Sequence, residues 1–188
     1  FFDNLAEGEL DNVNELTVDN PVSVSETASK YEYVSFTAPE SGKYIFTYTN
    51  ETDVVPSYAL YNSDRSSDKT VSGTEADGNT VVNIEELTSG ETKYFVVDPS
   101  QVPFSLSVTK HEIEYTELTL DTPVSVTYEG LDIGFKFTPT EDGKYNFASS
   151  NLATGGDPNA ALYDSEMNRI IYIDNENLDN RNFLIVAT

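Results

Sequence analysis

The feature that most constrains the fold is an internal repeat. Glu15-Leu16-Thr17-Val18-Asp19-Asn20-Pro21-Val22-Ser23-Val24 returns as Glu117-Leu118-Thr119-Leu120-Asp121-Thr122-Pro123-Val124-Ser125-Val126. Two further blocks return in the same order. Phe36-Thr37, Gly42-Lys43-Tyr44 and Phe46 match Phe137-Thr138, Gly143-Lys144-Tyr145 and Phe147. Ala59-Leu60-Tyr61-Asn62-Ser63-Asp64 matches Ala161-Leu162-Tyr163-Asp164-Ser165-Glu166. An offset of about a hundred residues is far longer than a solenoid turn, so the repeated object is a whole domain. A chain of 188 residues then holds two small domains. The expected division is an N-terminal segment at 1–14, a first unit at 15–110, a short linker at 111–114 and a second unit at 115–188.

Each unit reads as strands. Tyr31-Glu32-Tyr33-Val34-Ser35-Phe36-Thr37 and Gly42-Lys43-Tyr44-Ile45-Phe46-Thr47-Tyr48 alternate large and polar side chains, the period of a strand with one buried face. The Pro39 to Gly42 stretch between them reads as a turn, and the two runs as a hairpin. Further strands are expected at 57–61, 80–84, 93–97 and 104–108, and in the second unit at 160–163, 170–173 and 182–186. No stretch shows helical periodicity. The expected class is all-β, two tandem antiparallel β-sandwiches of jelly-roll-like form. Matching Val186 with Val97 implies that the second unit lacks the loop around residues 66–79 and the strand 104–108. A sandwich short of one strand exposes an edge, so edge-strand pairing with residues 1–14 or another molecule is expected on an otherwise monomeric chain.

Charge narrows the function classes. The net charge is −23, spread through both units. Such a surface repels phosphates, which excludes nucleic acid binding, and it is repelled by anionic membranes. No stretch has the length of a membrane-spanning helix, so no membrane insertion is expected. With no cysteine there is no disulfide, thiolate nucleophile or zinc–thiolate site. A Cys-free acidic β protein rich in Thr, Ser, Asn and Tyr fits an extracellular or bacterial cell-surface location. The chain opens on Phe1 with no signal peptide, as a mature or excised fragment would.

The order of blocks resembles a known family. An aromatic-x-Phe-Thr run leads to Gly-Lys-Tyr-x-Phe and then to Ala-Leu-Tyr-[Asn/Asp]-Ser-[Asp/Glu]. In the first unit Leu87-Thr88-Ser89-Gly90-Glu91-Thr92-Lys93-Tyr94-Phe95-Val96-Val97 and a closing strand follow. This resembles the bacterial pre-peptidase C-terminal domains and related jelly-roll-like modules of secreted proteases and surface proteins. The resemblance implies a noncatalytic appendage. In some members a calcium ion sits near an acidic N-terminal segment, and some bind collagen. No diagnostic ligand set of the family is matched here, so no binding residue is carried over.

Several motifs have a chemical reading beside a plainer one. Asn62-Ser63-Asp64-Arg65-Ser66-Ser67-Asp68 places oxygens at alternate positions as a calcium loop does, but Ser67 replaces the glycine and Gly73 the closing glutamate. It reads first as a turn. Asp174, Glu176 and Asp179 form the densest oxygen-rich run and are the candidate metal ligands, with calcium the ion they would take; otherwise no cofactor is expected. Gly155-Gly156-Asp157-Pro158-Asn159 reads as a turn. His111 is the sole histidine and sits in the linker, which excludes a zinc pair and disfavours a catalytic triad. No catalytic residue is assigned and no enzyme is expected. Asn50-Glu51-Thr52 has the form of a glycosylation sequon but reads as a turn. Tyr58, Tyr128 and Tyr172 have no counterpart in the other unit and are candidate contacts for sugar or protein. The expected function is a noncatalytic spacer, adhesion or substrate-targeting module whose partner is an extracellular protein or glycan. The alternatives are a carbohydrate-binding module using exposed tyrosines and a hydrolase using paired carboxylates.

Overall fold

The computed structural model describes residues 4–10, 12–25, 30–74, 78–173 and 182–188. The described chain is an all-β sandwich protein whose only helical turns are short 3-10 pieces. It divides into two compact units: Phe1–Thr116 with Val124–Phe135, and Glu117–Pro123 with Lys136–Thr188.

The first unit stacks two sheets. One has five strands in the order β1 (Asn14–Leu16), β3 (Glu32–Thr37), β8 (Thr92–Val97), β5 (Ser57–Tyr61) and β6 (Ser67–Ser72). The other has four, β2 (Val22–Val24), β9 (Phe104–Lys110), β4 (Gly42–Asn50) and β7 (Thr80–Leu87). β1 runs parallel to β3, and the other pairs are antiparallel. The period-two pattern explains the packing. Along β4, Tyr44, Phe46 and Tyr48 point inward and are fully buried, while Lys43, Ile45 and Thr47 take the outer face. Phe36 of β3 meets Tyr44 at 5.1 Å and Phe46 at 5.3 Å between ring centroids, both edge-on. Phe46 meets Phe95 of β8 at 5.0 Å. Edge-to-face packing suits the aromatic quadrupole.

β3 and β4 are not the hairpin expected from their sequence. They belong to different sheets, and the stretch between them is a corner. Ala38 is buried there, and its backbone donates to Glu91 O at 2.9 Å and accepts from Gly90 N–H at 2.8 Å. Pro39 has no N–H with which to extend a ladder. The corner is thus tied to the β7–β8 turn and carries the chain across the core.

Residues 4–10 lie on the outer face of the five-stranded sheet. Leu5 is buried against Ala59, Tyr61 and Val96, with Leu10, Tyr31, Tyr33 and Tyr94 packed around them. Leu5 N–H donates to Arg65 O at 3.0 Å. Of the two occupants expected for the second unit's edge, residues 4–10 are engaged here, on the first unit. Apolar residues at 5 and 10 complete a second, smaller core on the first unit instead.

The second unit repeats the local geometry of the first. The corner at Thr17–Asn20 has Asp19 at φ 61°, and that at Thr119–Thr122 has Asp121 at φ 58°. Tyr44 Oη donates to Glu40 O at 2.8 Å, and Tyr145 Oη to Glu141 O at 2.7 Å. Phe137 meets Tyr145 at 5.0 Å and Phe147 at 5.6 Å, as Phe36 meets Tyr44 and Phe46. β13 (Ala160–Tyr163) pairs with β14 (Arg169–Ile173) with a bulge after Leu162, as β5 pairs with β6 after Leu60.

The register corrects how the later strands match. β12 (Tyr145–Ala148) pairs Tyr145 with Ala187 and Phe147 with Ile185 of β15 (Leu184–Ala187). β4 pairs Tyr44 with Glu85 and Phe46 with Asn83 of β7. β8 pairs with β3 and β5 and not with β4, so β15 does not stand for β8, and Val186 does not match Val97. Of the two neighbours of β4, it is β7 that follows β6 in the chain as β15 follows β14, which gives β15 the place of β7 rather than that of β9. The material after β13 is present: Asp164 to Asn168 stands for Asn62 to Ser66, and β14 for β6. Among the described residues no strand of the second unit stands for β8 or β9. This explains its burial. Tyr145, Phe147 and Leu162 keep the inward phase but are half-buried, where Tyr44, Phe46 and Leu60 are fully buried. The matched side chains are therefore not equally buried in the two units. The remaining pair, β10 (Tyr115–Glu117) with β11 (Gly134–Lys136), is a short two-stranded ribbon.

Candidate functional site

The oxygen-rich turn after β5 is filled from within. Asn62 N–H donates to Ser66 O at 3.0 Å and Arg65 N–H to Asn62 O at 2.8 Å, with Arg65 at φ 67°. Ser66 donates through its hydroxyl and backbone N–H to Asp64, which holds that carboxyl below the usual aspartate range. Lys93 reaches into this turn from β8. Its Nζ donates to Asn62 Oδ1 at 2.6 Å and to Asp68 Oδ2 at 2.9 Å, with Glu91 Oε1 at 3.8 Å. The first calcium-like motif is therefore occupied by an ammonium, and its outer oxygens are spent on backbone amides. Sequence reasoning missed Lys93, although one signal was available. Lys93 lies in phase with Phe95 and Val97, which makes it an inward-facing lysine on a core strand.

The matching turn of the second unit holds itself differently. Asp164 accepts from Asn168 through both side-chain and backbone N–H groups, and Asn168 is the main reason its carboxyl falls below the ordinary range. Asp174, Glu176 and Asp179 lie outside the described residues. Among the described residues no three His, Cys, Asp or Glu side chains come together as a metal-holding group.

A second polar cluster is buried in the first unit. Asn50, fully buried at the end of β4, donates through Nδ2 to Gln101 Oε1 at 2.7 Å and to Val54 O at 3.0 Å. Gln101 donates to Val55 O at 3.0 Å and accepts from Ser57 N–H at 3.1 Å. Gln101 closes a short 3-10 turn, Pro99–Gln101, capped by Asp98. The Ser100 hydroxyl and N–H hold that aspartate below its usual range. The network pins the loop between β4 and β5 to the start of β9. The sequon at Asn50 is structural, because its amide nitrogen is buried and doubly engaged. Tyr58, one of the candidate surface tyrosines, is also fully buried, and burial pushes its hydroxyl pKa upward. Tyr128 and Tyr172 are exposed at 72% and 51%.

The first unit has a shallow groove of about 350 Å³ lined by Lys43, Lys110, His111, Glu112, Tyr115 and Asp132 among others. Its cations are matched by carboxylates. Lys43 lies 2.9 Å from Asp132, and Lys110 lies 2.7 Å from Glu40 and 3.3 Å from Glu112. The Glu40 hydrogen bond is the main cause of a raised Lys110 pKa. His111 Nε2 is 3.3 Å from Asp132 O, a backbone contact. Gly156 N–H donates to Ala153 O at 2.8 Å, so the glycine pair at 155–156 serves a turn. No described helix is long and apolar enough to cross a membrane.

No protein-family model and no curated protein matches the chain. Among solved structures it is similar to the pre-peptidase C-terminal domain of collagenase from Bacillus anthracis, at 13% identity and a TM-score of 0.41, over 52% of this chain and 95% of that chain.

Proposed function

We propose that the chain is a noncatalytic module of a secreted or cell-surface bacterial protein, serving as a spacer and adhesion element. One observation carries this reading: the two units share a framework and differ in their polar clusters. What recurs is the corner aspartate, the Tyr–Glu carbonyl bond, the aromatic triad and the bulged strand pair. These features hold a fold and offer no reacting group. The polar groups that differ, such as Lys93 with Asn62 and Gln101 with Asn50, are spent on turns and loops. A duplicated scaffold with divergent surfaces suits an extended protein that presents contacts, and the acidic surface suits life outside the cell.

The test is a binding screen of the full chain against immobilised glycans and matrix proteins, run beside hydrolysis assays on polysaccharides and peptides. Saturable binding to a glycan or matrix protein without turnover is expected. Catalytic hydrolysis of any substrate overturns the reading and favours paired carboxylates. The carbohydrate alternative rests on the exposed rings of Tyr128 and Tyr172. It is favoured if binding is confined to glycans and is weakened by Tyr128→Ala or by Tyr172→Ala.

A further inference from the structure

Lys93 is 6% exposed, a lysine sunk into the rim of the main core. Its amine is not simply ion-paired; it touches a side-chain amide. The β5–β8 register pairs Tyr61 with Tyr94, and one further step sets Asn62 directly opposite Lys93. Directly opposed side chains have Cβ atoms about 4.5–5.5 Å apart, within reach of each other. Nζ lies 2.6 Å from Asn62 Oδ1 and 2.9 Å from Asp68 Oδ2. The strands concerned, β8, β5 and β6, are consecutive in the sheet, so the three groups stay together while the sheet is intact. The Asn62 turn is bolted down as well. Ser63 Oγ donates to Thr92 O at 2.8 Å and accepts from Thr92 N–H at 2.9 Å.

We propose that Lys93 and Asn62 condense into an intramolecular isopeptide bond, with Asp68 as the proton carrier. The Lys93 ammonium gives a proton to the Asp68 carboxylate. The freed nitrogen lone pair adds to Asn62 Cγ, forming a C–N bond and a tetrahedral centre. That nitrogen then loses a proton to Nδ2, the Cγ–Nδ2 bond breaks, and ammonia leaves. The ammonia takes the proton held on Asp68 and departs as ammonium, which regenerates the carboxylate. Atoms and charge balance, and no oxidant or cofactor is needed. The reason such a sluggish amide exchange proceeds is position: a nucleophile held against one carbonyl by a folded sheet replaces a bimolecular encounter. Glu91 Oε1, 3.8 Å from Nζ, is the second carboxylate that keeps the amine in place. The set belongs to the first unit. By the shared register Asp164 stands for Asn62 and Ile170 for Asp68. The link would cross-brace adjacent strands of a chain that has no cysteine.

The experiment is the intact mass of the purified full chain, read after denaturation, followed by proteolysis and fragment sequencing. The expected mass is lighter than the sequence by one ammonia, with trypsin blocked at Lys93 and a branched peptide joining Asn62 to Lys93. Lys93→Arg and Asn62→Ala should each restore the full sequence mass. Asp68→Asn should leave most molecules unlinked. Because masses are read on denatured protein, these variants report whether or not they fold well. A wild-type chain at its full mass, with linear peptides at both positions, overturns the proposal. So does a lighter chain without the branched peptide, which would place the ammonia loss in a succinimide elsewhere.

Discussion

Replacing Phe46 by Ala separates what the two units draw from the same sequence block. Phe46 is fully buried and sits between Phe36 at 5.3 Å and Phe95 at 5.0 Å. A buried Phe→Ala change costs about 3–5 kcal/mol, from lost transfer energy plus the cavity left behind. The two ring contacts, worth roughly 0.5–1.5 kcal/mol each beyond area, push the value to the upper part of that range. Taking about 4 kcal/mol and about 4 °C per kcal/mol, the first unit should melt roughly 16 °C lower. Its counterpart Phe147 is half-buried and, among the described residues, keeps only the Phe137 ring contact at 5.6 Å. Full burial of such a side chain is worth about 1.5–3 kcal/mol, so half burial gives Phe147→Ala a loss of only about 1 kcal/mol. Scanning calorimetry on the wild type and both variants reads the two shifts. Equal shifts, or a larger one for Phe147→Ala, would refute the assignment of unequal cores.

Three further outcomes follow from polar groups. Gln101→Ala takes one of its two acceptors from the fully buried Asn50 amide and removes the partners of the partly buried Ser57 N–H and Val55 O, and a buried unsatisfied group costs about 1–3 kcal/mol; the urea midpoint should fall clearly, and an unchanged midpoint removes the network from the stability account. Millimolar calcium should barely move the melting of the first unit, since the Lys93 side chain already fills the turn between Asn62 and Asp68; a rise of more than about 10 °C in the first unit would make that turn a calcium site, and one in the second unit would promote Asp174, Glu176 and Asp179 to ligands. The carboxyls of Asp64, Asp98 and Asp164 are lowered, so their stabilisation is present above the unfolded aspartate value and is lost as pH falls through the folded ones. Thermal melts should therefore drop below about pH 4, and Asp98→Asn should make that drop shallower.

Some of this was legible in the chain and some was not, for identifiable reasons. Tyr44, Phe46 and Tyr48 alternate cleanly with polar residues, so β4 could be read directly. β6 could not: in Ser67-Asp68-Lys69-Thr70-Val71-Ser72 only Val71 is buried, because an edge strand has little inward face to encode. The Pro39 corner looked like a hairpin turn because a turn and a sheet-to-sheet crossing use the same residues. Periodicity marks which face a strand buries but is silent on which strand lies beside it. The same limit misplaced β15, whose Leu-Ile-Val core run resembles β8 more than it resembles the polar β7. Lys93 escaped notice because a lysine inside a strand of aromatic and β-branched residues reads as an outward one unless its phase is counted.

The register of β15 has a consequence that amide exchange can test. In the first unit β4 is an interior strand: every residue from Tyr44 to Thr49 has a partner on β7 and another on β9. Antiparallel strands turn alternate N–H groups to opposite sides, so an interior strand has all of its amides bonded. β12 repeats the sequence of β4, but among the described residues it pairs only with β15. One side of β12 is therefore bonded and the other is open, although the residues are nearly the same. Hydrogen exchange followed by NMR should show continuous protection across Tyr44 to Thr49. Across Tyr145–Ala148 it should show an alternation, with every second amide exchanging as a solvent-exposed group does. Uniform protection of β12 would mean that a second strand, from residues 174–181 or from another molecule, closes its open side, and the assignment of β15 to the place of β7 with nothing in the place of β9 would fall.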